Sequence, residues 1–108
     1  MIEHRINPVP LKVMQRNRIQ IPKLAFIEEK TMVEEYLQDD NSVLIIPDGV
    51  EIPDGYSGEF KISQNQYKVH YRMIVISSLS DIRIGDYVNV FKLDGGAILI
   101  KSVCNDLA

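Results

Sequence analysis

The chain has 108 residues, 45 % of them apolar, and a net charge of −3. That length suits one small domain, or two half-domains that need each other. No apolar run approaches the ~18 residues that a membrane-spanning helix needs, the start lacks an apolar core of signal-peptide type, and the single Cys104 excludes an intrachain disulfide. A cytoplasmic protein is the expectation.

Charge is unevenly placed. Up to Lys23 the cations Arg5, Lys12, Arg16, Arg18 and Lys23 face only Glu3. From Glu28 to Glu59 the chain is acidic, with Glu28, Glu29, Glu34, Glu35, Asp39 and Asp40 forming one flank against only Lys30. Such asymmetry can give an acidic protein a local polyanion-binding face.

In chain order, residues 1–10 read as extended, because Pro8 and Pro10 remove donors and restrict their neighbours. Residues 11–21 read as a β-hairpin with a basic tip at Arg16 and Arg18, ended by Pro22. Residues 24–38 are ambiguous: Glu, Lys, Met and Leu favour a helix there, whereas an internal repeat favours a strand over 32–37. A turn at Asp39, Asp40 and Asn41 then leads into a strand over 42–46. Residues 47–58 form a loop with two Ile-Pro-Asp-Gly turn signals. Short strands follow at 60–62 and 67–71, where Tyr67, Val69 and Tyr71 share one face and Lys68 and His70 the other. The apolar run continues over 73–76, with a turn at 77–82. A Gly85-Asp86 corner opens two further strands, 87–93 and 97–103, joined by the tight Asp94-Gly95-Gly96 turn.

The repeat has an offset of about 55 residues and no gap over 19–46 and 74–101. Ile19 falls on Ile74, Ile21 on Ile76, Val33 on Val88, Tyr36 on Phe91, Asp39 on Asp94 and Leu44 on Leu99. These matches are mostly apolar and at core spacing, so they point to a shared fold rather than a shared catalytic centre. The expected architecture is mainly β: two tandem ββαβ-type units in one pseudo-twofold domain over 1–108. The first copy covers about 11–46, a linker 47–59 and the second about 66–103, and together they close one small barrel.

Two stretches carry a resemblance. Arg18-Ile19-Gln20-Ile21-Pro22-Lys23 resembles the R-I-x-I-P-K signature of the AbrB/SpoVT family of swapped-hairpin DNA-binding domains. Ile84-Gly85-Asp86-Tyr87-Val88-Asn89-Val90, with Asp94-Gly95-Gly96 and Ile98-Leu99-Ile100, is similar to that family's G-D-x-V-x-V…D-G-x-I-x-I ending. The short segment before Gly-Asp also resembles the related double-psi and RIFT barrels, so swapped-hairpin and psi-barrel threading both stay open. The first copy departs from the pattern with Lys30-Thr31 at the Gly-Asp position, and the second with Ser77-Ser78 at the Pro-Lys position.

The resemblance implies a transcriptional regulator that binds duplex DNA, often as a homodimer. Carried over by position, its DNA-contacting cations are Lys12, Arg16, Arg18 and Lys23, with Lys68 and Arg72, beside His70, as their counterparts in the second copy. The other expectation is a protein-interaction module or inhibitor whose acidic flank, Glu28 to Asp40, docks on a basic partner. An enzyme is not expected: no nucleophile–base set, phosphate loop or paired His-Glu motif stands out, and Ser77 and Ser78 read as turn formers. No cofactor or metal is expected either, since His4 and His70 lack partners at ligand spacing. The Gly-Asp corner reads as structural, with Gly85 supplying a left-handed φ and Asp86 accepting turn N–H groups.

Overall fold

Two β-hairpins supply the centre of the fold. In a computed structural model, which describes residues 3–25, 27, 30–62, 67–68, 72–76 and 80–103, nine strands follow in order. They are β1 (His4–Arg5), β2 (Leu11–Lys12), β3 (Arg18–Gln20), β4 (Met32–Leu37), β5 (Val43–Pro47), β6 (Tyr67–Lys68), β7 (Met73–Val75), β8 (Tyr87–Lys92) and β9 (Ile98–Ser102). The protein is mainly β. Among the described residues within 3–102 the other regular elements are short 3-10 turns at Gln15–Asn17, Lys23–Ala25 and Asp94–Gly96. The helix of the first expected ββαβ unit is represented among the described residues by the single 3-10 turn at Lys23–Ala25.

Residues 32–37 are extended despite their helical propensity. Val33 and Glu35 alternate inward along β4, and the strand is paired on both sides, with β5 and with β6. Tertiary pairing outweighs propensities of a few tenths of a kcal/mol per residue. Each hairpin turns tightly. Gln38 N donates to Ser42 O at 2.9 Å and Leu93 N to Ala97 O at 2.9 Å. Positive φ falls on Asn41 (67°) in one turn and on Gly95 (87°) and Gly96 (104°) in the other.

The hairpins share their registers. Val33↔Pro47, Glu35↔Ile45 and Leu37↔Val43 in β4–β5 have counterparts 55 positions on in β8–β9, at Val88↔Ser102, Val90↔Ile100 and Lys92↔Ile98. β5 and β9 lie antiparallel with Leu44 opposite Leu99. A second, two-stranded sheet pairs β3 with β7, Ile19 opposite Ile74. Beyond its ends, Ile21 N donates to Arg72 O at 2.9 Å and Ile76 N to Asn17 O at 2.7 Å.

The large sheet runs β1-β8-β9-β5-β4-β6, with β2 also on β8. No ladder among the described residues joins it to the β3–β7 ribbon. The expected hairpin over 11–21 is therefore only partly formed. Met14 and Arg18 make a single antiparallel bridge, after which β2 leaves to pair with β8 and β3 with β7. Pairing with the far half of the chain separates the two arms.

Alternation along the strands gives the large sheet two apolar faces. One packs Val33, Val43, Ile45, Val88, Val90, Ile98 and Ile100 against Ile19 and Ile74 of the ribbon. The other buries Leu44, Phe91, Leu93 and Leu99 beneath Val50 and Tyr56 of the loop after β5. That loop takes the two expected turns, Val50 N to Pro47 O and Tyr56 N to Pro53 O, with Gly49 and Gly55 at positive φ.

Candidate nucleic-acid interface

The outward side of the ribbon is set by register. Ile19 and Ile74 point into the core, so alternation sends Arg18, Gln20, Met73 and Val75 outward. Arg18 lies opposite Val75, and Gln20 opposite Met73. The bridge from Arg18 to Met14 extends this face onto β2, where Lys12 shares Met14's side of the chain and lies opposite Tyr87. The result is a continuous outward row: Tyr87 and Lys12, then Met14 and Arg18, then Val75. None of these side chains is acidic. Met14, Val75 and Tyr87 are 41, 44 and 50 % exposed.

Arg16 sits at the tip with φ 64°, followed by Asn17 with φ 56°. Asn17 holds the tip down: its side-chain amide donates to Ile76 O at 3.0 Å and Ile82 O at 3.2 Å. Arg18 Nε donates to Gln15 O at 3.4 Å across the same turn. Lys12, Arg16 and Lys23 are exposed, and none is in an ion pair among the described residues.

The six cations expected from the sequence thus fall in three places. Lys12, Arg16 and Arg18 lie together on the row and its tip. Lys23 and Arg72 lie at the ribbon's other end, where Arg72 accepts the Ile21 N–H and Lys23 follows two residues later. Lys68 belongs to β6, opposite Met32. The side chains of Tyr67 and Lys68, and Val69, His70, Tyr71, Ser77, Ser78 and Cys104, lie outside the described residues. Tyr87, Met14 and Val75 share this face without standing out in the sequence, where only the alternation of Tyr87 with apolar Val88 marks the ring as outward.

At the Gly-Asp corner, Gly85 has φ 93° and Asp86 Oδ2 accepts the Arg83 N–H at 2.8 Å. Lys30, which stands at the matching place in the first half, takes φ 65°.

A second feature is an acidic cleft of about 650 Å³, lined by Glu3, Asp39, Asp40, Asp54 and Tyr56 among others. Glu3 is held there from two sides, by Lys101 Nζ at 2.8 Å and by the Tyr56 hydroxyl, which donates at 2.6 Å. Burial would raise the Glu3 pKa, but the hydrogen bonds from Lys101 and Tyr56 and the Lys101 charge together hold it below the usual carboxylate value. Burial and the Glu3 carboxylate push the Tyr56 phenol well above its ordinary value. Asp40 accepts the Ser42 N–H at 3.0 Å and the Ser42 hydroxyl; burial opposes ionisation, but those bonds leave its pKa lowered. Of the acidic flank, Glu34 pairs with Lys61 at 3.3 Å and accepts from Tyr36, Glu35 is buried, and Glu28 and Glu29 lie outside the described residues.

Among the described residues no three His, Cys, Asp or Glu side chains converge as a metal site, and no helix is long and apolar enough to cross a membrane. No family model matches the chain, and no curated protein or solved structure matches it significantly.

Proposed function

We propose that the protein binds duplex DNA as a regulator of swapped-hairpin, AbrB-like type. The observation that carries the reading is the acid-free row of Lys12, Met14, Arg18 and Val75, with Arg16 at its tip. Arginine there can engage phosphate or guanine with two parallel hydrogen bonds, and lysine neutralises phosphate. Lys23 and Arg72 extend the positive surface along the ribbon, and Lys68 is read as the counterpart of Lys12. A homodimer would double this surface.

The fold behind this reading is two copies of one unit around a pseudo-twofold axis. Shared registers support it, as do the reciprocal pairings of β2 with β8 and β6 with β4. Each copy lends its first strand to the other's hairpin, and closure of the two sheets into one small barrel is part of this proposal.

Fluorescence anisotropy on a labelled duplex tests the function. Affinity should fall steeply with salt, by a log–log slope of roughly 0.9 per phosphate neutralised, and Arg16→Ala and Arg18→Ala should each weaken binding and flatten that slope. No binding at micromolar protein and low salt would overturn it. The acidic cleft at Glu3, Asp39, Asp40 and Asp54 favours a second reading, a module that docks on a basic protein. In that case binding would respond to Asp39→Asn and Asp54→Asn and not to the arginine substitutions.

A further inference from the structure

Tyr87 opens β8 with half its surface exposed, while Val88 beside it is fully buried. Register places Lys12 directly across, which brings the two Cβ atoms to roughly 5 Å on one face. Met14 and Val75 continue the row as exposed apolar groups alternating with Lys12 and Arg18. Phosphates would satisfy the cations of this face but leave the ring, the thioether and the valine bare. Bases inside a duplex keep their faces stacked on one another, whereas unpaired bases offer those faces to a ring. The Tyr87–Lys12 end of the row, where an exposed ring stands across from a cation, therefore also suits a strand whose bases are out of the stack.

We infer that Tyr87 and Lys12 form a contact for single-stranded nucleic acid, the ring stacking on one unpaired base and the ammonium meeting the adjoining phosphate. The inference rests on the reading of this face as a nucleic-acid surface and adds a ligand class and a binding residue to it. Met14 lies along the same track and flanks the next position. Tyr87 is exposed and its backbone pairs with Lys12 of β2, so replacing its ring leaves the core intact.

The test compares a labelled oligothymidylate of about 15 nucleotides with a duplex of the same length, at about 50 mM salt. Far-UV circular dichroism checks that each variant is folded. Wild type should bind the oligothymidylate, Tyr87→Ala should weaken that binding by about tenfold or more, and Tyr87→Phe should stay within about twofold of wild type. Duplex affinity should be unaffected by Tyr87→Ala. Oligothymidylate binding that ignores Tyr87→Ala, or that is lost equally with Ala and Phe, overturns the stacking contact while leaving duplex recognition standing. Absence of binding to either nucleic acid overturns both.

Discussion

Asn17 does more for the basic tip than the arginines around it. It takes a left-handed φ, which Asn tolerates better than most residues, and its amide bonds both Ile76 O and Ile82 O. Asn17→Ala removes the donors of both the Ile76 and Ile82 carbonyl bonds, a loss of about 1–3 kcal/mol in urea denaturation. The same strain argument applies at Lys30 and Gly85. Lys30→Gly should gain about 0.5 kcal/mol, as relief of φ 65° slightly exceeds glycine's entropic cost, whereas Gly85→Ala at φ 93° should lose about 1–2 kcal/mol although nothing crowds the added carbon. The Glu3 latch belongs to this scale too. Its carboxylate titrates below its unfolded value of 4.5, so its stabilisation is complete above that value and is lost as pH falls through the folded one. The denaturation midpoint of wild type should drop as pH falls below about 5, and Glu3→Gln should make the drop shallower. Asp40, depressed in the same direction, keeps it from vanishing.

Among elements, the β3–β7 ribbon is short and depends on one buried cross-strand pair. Ile19 and Ile74 lie opposite each other and are both fully buried. Truncating either to alanine should cost about 2–5 kcal/mol. The double variant should cost measurably less than the two singles together, because the second truncation opens onto a cavity already made. The strands that carry this core were legible because their apolar residues recur at matched places: Val33 with Val88, Val43-Leu44-Ile45 with Ile98-Leu99-Ile100, Ile19 with Ile74. The Asp94-Gly95-Gly96 turn and the Gly-Asp corner were legible from turn chemistry. What pairs with what was less so. Nothing local in residues 11–21 says that the arms part after one bridge, since their partners, β8 and β7, lie more than 50 residues away. The site was legible as a set of cations but not as a surface. Which apolar residues share a face with Lys12 and Arg18 depends on registers to β7 and β8, and Glu3 meets Lys101 and Tyr56 only once β1 is laid on β8.

At the scale of the whole molecule, the two halves are interleaved rather than adjacent. Among the described residues, only the β4–β5 hairpin is a full ladder within the first half, and only β8–β9 within the second. The pairings β1–β8, β2–β8, β3–β7, β4–β6 and β5–β9 all cross between halves. A lone two-stranded hairpin is marginal in water at best, and here each hairpin shares its two apolar clusters with residues of the other half. The fully buried Leu44–Leu99 pairing sits where the two hairpins meet. Unfolding should accordingly be a single transition, with tertiary and secondary probes coincident. Cleavage within the loop between Asp48 and Glu59 gives a sharper check. Each fragment alone should show the far-UV signal of an unfolded chain, and mixing the two should restore the strand spectrum, with a midpoint that rises with fragment concentration because association has become bimolecular. A fragment that keeps strand signal and a cooperative melt by itself would mean that its hairpin has a core of its own, which the buried faces of β5 and β9 argue against.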